Sequence, residues 1–64
     1  MKVKIKHCRQ LQYCMPGVKK FFLDHDLDWR GFVREGCEPQ ILLETGDVMA
    51  KRVVEQAIKS ESEQ

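Results

Sequence analysis

The stretch Leu27-Asp28-Trp29-Arg30-Gly31-Phe32-Val33-Arg34-Glu35-Gly36-Cys37 carries the clearest structural signal in the chain. Asp28 is a favourable N-cap residue, because its carboxylate can accept a hydrogen bond from a free backbone N–H of the first turn. Gly36 suits the position just after a helix, where the backbone commonly takes a left-handed conformation. The two signals predict a helix of about two turns between them.

Phe32 occupies a special place in this predicted helix. It lies where it can pair with Leu27 in a hydrophobic staple at the start of the helix and with Cys37 in a Schellman motif at its end. A helix of two turns is not stable alone, so it must be held by packing. The expected packing residues are Trp29, Phe32 and Val33.

Upstream, residues 2–7 alternate in character, with Val3, Ile5 and His7 on one side and lysines on the other. Alternation with β-branched residues predicts a short strand that buries one face. No second strand is convincing elsewhere in the chain. The segment is therefore expected to lie extended across the helices or to pair with another chain.

The segment between residues 8 and 25 has helical spacing. Cys8, Leu11 and Met15 predict a short helical turn, and Pro16 suits the first position of a helix that runs to about His25. We interpret His25 as a partly buried or capping residue. The apolar stripe of the second helix comprises Val18, Phe21, Phe22 and His25.

Downstream, Pro39 is expected to start a short helix that Gly46 ends. Thr45 or Asp47 then caps the longest helix, predicted from about Asp47 to Lys59. Its broad apolar face comprises Met49, Ala50, Val53, Val54, Ala57 and Ile58. Residues 60–64 contain no apolar side chain and are expected to form a disordered tail.

These elements predict one small domain over residues 1–59, because 64 residues leave no room for two. The expected fold is mainly α: a compact bundle of three to four short helices with a short N-terminal extended segment. A chain of this size often needs a disulfide, a metal or a partner chain for stability. Of these three sources of stability, the sequence leaves a partner chain open.

The sequence offers no recognisable catalytic or metal site. Cys8, Cys14 and Cys37 make an odd count, and their spacing matches no common zinc-ligand pair, so we interpret them as free thiols used as small buried hydrophobes. The acids from Asp24 to Asp28 lack the glycine and the terminal glutamate of an EF-hand loop. We therefore expect a protein that is not an enzyme and holds no metal, cofactor or small-molecule substrate.

Charge is distributed unevenly along the chain. The formal net charge is +1, but the first 20 residues carry six basic side chains and no acid. One interpretation is that the basic and acidic segments attract each other at a solvated surface. The other is that the basic segment contacts phosphate or an acidic partner. The candidate partner-binding residues are Lys2, Lys4, Lys6, Arg9, Lys19 and Lys20, with Trp29 and Arg30 as a possible interface pair.

Nothing in the sequence predicts membrane insertion. The longest uninterrupted apolar runs, such as Phe21-Phe22-Leu23, have three residues, whereas about 20 are needed to span a bilayer. The basic N-terminus is not followed by the apolar stretch of a signal peptide. We expect a cytoplasmic location.

The chain resembles a set of short, uncharacterised proteins encoded by tailed bacteriophages and prophages. The most specific features are Leu27-Asp28-Trp29 with Phe32, and Thr45-Gly46-Asp47. The remaining features are Tyr13-Cys14, Gly17, Phe21-Phe22, His25, Gly36, Ala50 and Val53-Val54. The resemblance implies a phage setting in a bacterial host, but it supplies no activity.

Two functions follow as expectations. The first is a non-enzymatic protein–protein interaction, assembly or accessory module of phage or prophage origin, which binds another phage protein or itself. The second is a small nucleic-acid-binding protein that uses the basic N-terminal third. A sequence pI of about 7.7 counts against the second, because dedicated nucleic-acid binders usually exceed about 9.

Overall fold

The computed structural model describes residues 1–62, and the helices within them confirm the mainly α prediction. The described part of the chain contains five helices rather than three to four, because residues expected to be extended are helical. In chain order they are α1 (Ile5–Gln10), α2 (Met15–Asp24), α3 (Trp29–Glu35), α4 (Pro39–Leu43) and α5 (Val48–Ser62).

The predicted N-terminal strand is wrong, since α1 begins at Ile5. Only Val3 pairs with another segment, in one antiparallel bridge to Cys37 with both N–H···O distances at 2.9 Å. The helix is favoured because the His7 ring accepts a hydrogen bond from the Lys4 N–H (2.9 Å), which satisfies a donor at the helix start. Val3 and His7 are fully buried, so the alternation reflected burial rather than a strand.

α2 lies close to its predicted position. It begins at Met15, with Pro16 in its first turn, and it buries Val18 and Phe22. His25 follows the helix as a capping residue, and its N–H donates to the Phe21 carbonyl oxygen (3.1 Å). The His25 side chain is exposed rather than buried, with its ring 4.5 Å from that of Phe21.

The start of α3 confirms the capping prediction, whereas its end does not follow the predicted motif. Asp28 Oδ1 accepts a hydrogen bond from the Gly31 N–H (3.0 Å). Gly36 has a positive φ of 92°, but its ψ of −176° makes the chain leave the helix in an extended direction. The Cys37 N–H consequently donates to the Val3 oxygen instead of closing a Schellman motif.

The centre of the core is aromatic. Phe32 is 1% exposed, and its ring stacks on Phe22 at a centroid distance of 4.4 Å. Trp29 is half-buried against both of these rings. Val33, which the sequence assigns to the packing face, is 50% exposed. It lies about 100° around the helix from Phe32, which turns it toward solvent.

The turn between α4 and α5 uses both predicted capping residues. Thr45 Oγ1 donates to the Leu42 oxygen (2.7 Å), and Asp47 Oδ1 accepts from the Met49 N–H (2.8 Å). α5 ends at Ser62, so the first three residues of the expected disordered tail are helical. Ser62 Oγ donates to the Ile58 oxygen at this end (3.0 Å). Residues 63–64 of that tail lie outside the described part of the chain.

The helices form two packed groups. α5 packs on α4 and α1, whereas α2 packs on α3. α5 buries a narrower face than predicted, because Met49 and Ile58 are exposed. The core residues shared by both groups are Val3, Cys8, Val18, Phe22, Phe32, Leu42, Ala50, Val53, Val54 and Ala57. This arrangement leaves an apolar space that opens to solvent between α2 and α5.

Candidate functional site: an apolar groove

An open apolar groove lies between α2 and α5 and has a volume of about 470 Å³. Small-molecule sites commonly fall in the range of about 300–1,000 Å³. Each of the five helices contributes to the lining of the groove, and α3 contributes Phe32 alone. Its lining residues are Cys8, Gln12, Tyr13, Cys14, Gly17, Val18, Phe21, Phe22, Phe32, Leu42, Met49, Ala50 and Val53.

Small residues on both walls keep the groove open. Gly17 lies on α2, and a Cβ added there would come within 2.9 Å of the Cys14 sulfur. Ala50 lies on the opposite wall, on α5. The floor is formed by the buried side chains of Phe22, Phe32 and Leu42. The groove thus reaches the aromatic core of the molecule.

The chemistry of the lining is uniform. None of its residues carries a charge, although 33% of the chain is charged. Its polar groups are the side chains of Gln12 and Tyr13, which belong to the turn between α1 and α2. Gln12 has a φ of 62°, which allows this turn to fold back to the start of α2. Such a lining favours the burial of an apolar surface.

The two thiols of the groove differ in accessibility. Cys14 is exposed at the start of α2, which corrects the prediction that all three cysteines are buried. Cys8 is buried, and burial raises the pKa of its thiol to about 11. Burial also raises the pKa of the half-buried Cys37, which lies outside this groove, to about 11. Cys14 is therefore the thiol accessible to reagents in the groove.

The edges of the groove carry charge. Lys20 and Asp24 on α2 form an ion pair (2.7 Å) and occupy the row next to Gly17 and Phe21 by helical spacing. On α5, Arg52 follows Met49 by three residues and lies on the adjacent row. Met49 is 53% exposed at the mouth. An apolar floor with charged edges is the pattern of a surface that receives an amphipathic element.

The basic residues predicted to bind a partner lie outside the groove lining, on three segments. Lys2 and Lys4 flank the Val3–Cys37 bridge, where both approach Gly36. The others are Lys6 and Arg9 on α1, and Lys19 and Lys20 on α2; all six are exposed.

Part of the basic segment lies near acidic residues. Lys2 lines a second, smaller cavity of about 210 Å³ together with Asp28, Glu35 and Glu38. This placement fits the interpretation that the basic and acidic segments attract each other.

The two residues of the predicted interface pair lie in different environments. Trp29 packs its ring against Phe22 and Phe32, at centroid distances of 5.7 and 6.0 Å. It therefore acts as a core anchor that retains some exposure. Arg30 is exposed on α3 and is not among the groove residues.

Within residues 1–62, no group of three His, Cys, Asp or Glu side chains is arranged to hold a metal ion. The described helices include none that is both long and apolar enough to cross a bilayer.

The sequence did not reveal the groove, because its lining residues carry the same apolar signal as core residues. Met49 and Phe21 were assigned to the apolar faces of their helices. The available signal was the pair of small residues, Gly17 and Ala50, on the two longest helices. No protein-family model, curated protein or solved structure matches the chain.

Proposed function

We propose that the protein is a non-enzymatic interaction module whose groove between α2 and α5 binds an amphipathic helix of another protein. The observation that carries this proposal is the uncharged lining of the groove in a chain that is one-third charged. Large apolar surfaces open to solvent commonly mark interaction sites in small proteins.

The shape and the charge of the groove argue for a helix as the occupant. Its two walls are themselves helices, and its floor buries apolar surface along the space between them. Lys20 with Asp24 on one edge and Arg52 on the other can pair with the polar flanks of a bound helix. Apolar anchors facing the floor and charged residues facing the edges are the defining features of helix-in-groove recognition.

The resemblance to short phage proteins indicates where to look for the partner. We infer a phage or prophage setting, so the source for a binding experiment is a lysate of bacteria that carry a tailed prophage. The nucleic-acid alternative draws no support from the groove, whose lining contains none of the six basic N-terminal residues. Titration with duplex DNA at low salt should accordingly show none of the salt-sensitive binding that phosphate contacts produce.

Cys14 allows the proposal to be tested by photo-cross-linking. A benzophenone maleimide added at neutral pH should label Cys14 selectively, because it is the exposed thiol and the pKa of the other two is raised to about 11. Irradiation in the lysate should yield one dominant adduct, and mass spectrometry identifies the cross-linked peptide. We expect a segment with apolar residues at helical spacing.

The matched control carries the same reagent on another face. Val33 is 50% exposed on α3 and does not line the groove, so Val33→Cys combined with Cys14→Ser moves the label there. The control should not give the expected adduct. The protein labelled at Cys14 should give the same adduct with the purified partner. Equal yields from both positions, or no adduct at Cys14, would contradict the proposal. An adduct between two copies of this chain would replace the proposed partner with self-association.

A further inference from the structure

We propose that His7 is an acid-sensitive latch that holds α1 against α5 while its ring is neutral and releases α1 when the ring is protonated. The latch is independent of the proposed function, because it concerns a buried side chain outside the groove.

The geometry of the ring defines its resting state. His7 is fully buried, and its Nδ1 accepts a hydrogen bond from the Lys4 N–H (2.9 Å). An accepting Nδ1 has no proton, so the neutral ring carries its proton on Nε2. Nε2 is buried and has no hydrogen-bond partner within the described part of the chain. The site thus satisfies Nδ1 of the neutral ring and provides no hydrogen-bond acceptor for the N–H groups of a charged one.

Protonation changes both nitrogens into donors. The new proton on Nδ1 would point at the Lys4 N–H, so that a donor faces a donor and the bond at the start of α1 is lost. The resulting imidazolium would also be a buried charge with no acceptor for Nε2. The ring must then move toward water, and α1 must move with it.

The surrounding charges act in both directions. Burial lowers the pKa of His7 below its ordinary value of 6.5, and the neighbouring Lys6 and Lys4 lower it further. Glu61, near the end of the packed helix α5, raises it. The two lysines on its own segment therefore lower the pKa of His7, and the carboxylate on α5 raises it. Burial acts in the same direction as the lysines.

α1 can separate because it is short and rests on tertiary packing, in which buried Cys8 and partly buried Ile5 contact the core. It has six residues, too few to be stable alone, and it depends on packing against α5. Apart from buried Cys8, its fastening to α5 includes one exposed hydrogen bond, from Gln56 Nε2 to Gln10 Oε1 (2.9 Å). Loss of the His7 contact would remove the most deeply buried side chain of α1 from the core.

Hydrogen exchange followed by NMR between pH 7.5 and 4.5 tests the latch. As the pH falls from the ordinary pKa of 6.5 to the lowered pKa, the opening constant of α1 should rise by up to about tenfold for each pH unit. Protection of the amides in residues 5–11 should fall with that slope, after correction for intrinsic exchange. Amides of Val53 and Val54 in the centre of α5 should stay protected over the same range. Simultaneous loss of both sets would show global unfolding and overturn the proposal.

Variants separate His7 from other groups that titrate in acid. In His7→Asn, the amide oxygen can accept the Lys4 hydrogen bond but cannot titrate, so α1 should stay protected to pH 4.5. His25→Gln, at an exposed site, should leave the transition unchanged. If α1 opens at the wild-type pH in His7→Asn, the proposal is wrong.

A second pair of variants keeps the test valid if His7→Asn does not fold. Lys6 and Glu61 are both exposed, so glutamine should be tolerated at either position. Lys6→Gln should make the acid-driven rise in the opening constant of α1 smaller, because a less depressed pKa of His7 narrows the window, whereas Glu61→Gln should make that rise larger, because it widens the window. Identical transitions in the two variants would overturn the assignment of the latch to His7.

Discussion

At the scale of the residue, Gly36 turns the chain after α3 toward the N-terminal segment. Its φ of 92° and ψ of −176° belong to a region that essentially only glycine occupies. A Cβ at this position would lie 2.6 Å from the Val3 carbonyl oxygen, which is one partner in the bridge to Cys37. The glycine was predictable from its position after a helix, but its extended exit was not, because Cys37 pairs with Val3, which is 34 residues away in sequence.

Gly36→Ala should destabilise the protein more than Gly46→Ala. Both glycines have positive φ, but nothing lies within 4 Å of a Cβ at Gly46, so alanine there costs only about 1 kcal/mol of backbone strain. At Gly36 the strain is about 1–3 kcal/mol, and the collision with Val3 adds to it. Urea unfolding of both variants measures the difference. Equal free energies of unfolding would show that the Val3–Cys37 bridge shifts to admit the Cβ without a loss of stability.

At the scale of the element, the caps determine where helices begin. Asp28 and Asp47 were identified from the sequence because an N-cap is a local feature, formed by a side chain and the first turn beside it. The strand prediction at residues 2–7 failed because a buried histidine satisfies the first turn of α1, and that burial depends on α5. Local signals were therefore reliable where the partner is local.

Asp47→Ala should shorten or loosen the start of α5. The carboxylate accepts hydrogen bonds from the N–H groups of Met49 (2.8 Å) and Ala50 (3.4 Å), and loss of such a cap costs about 1 kcal/mol. In a domain of this size that corresponds to a fall in Tm of about 4–8 °C. Asp47→Asn keeps the acceptor and should melt close to the wild type. If Asp47→Ala and Asp47→Asn melt together, the cap does not stabilise α5.

At the scale of the whole molecule, the groove follows from how the helices group. α2 with α3 and α5 with α4 and α1 share one core, yet α2 and α5 leave an apolar space between them. The molecule measures 32 × 20 × 20 Å, so a groove of about 470 Å³ is a large feature of its surface. Helical periodicity identified the apolar faces of both helices, but it could not show that an open space lies between them.

The affinity of the cross-linked partner for two glutamate variants of α5 tests the groove most directly. Met49 and Val48 are adjacent and exposed, at 53% and 66%, but only Met49 lines the groove. Met49→Glu should weaken binding in calorimetry by at least about tenfold, which corresponds to roughly 1.4 kcal/mol, because a charge would then face an apolar surface. Val48→Glu should bind as the wild type does. Equal affinities for the two variants would contradict the groove as the binding site.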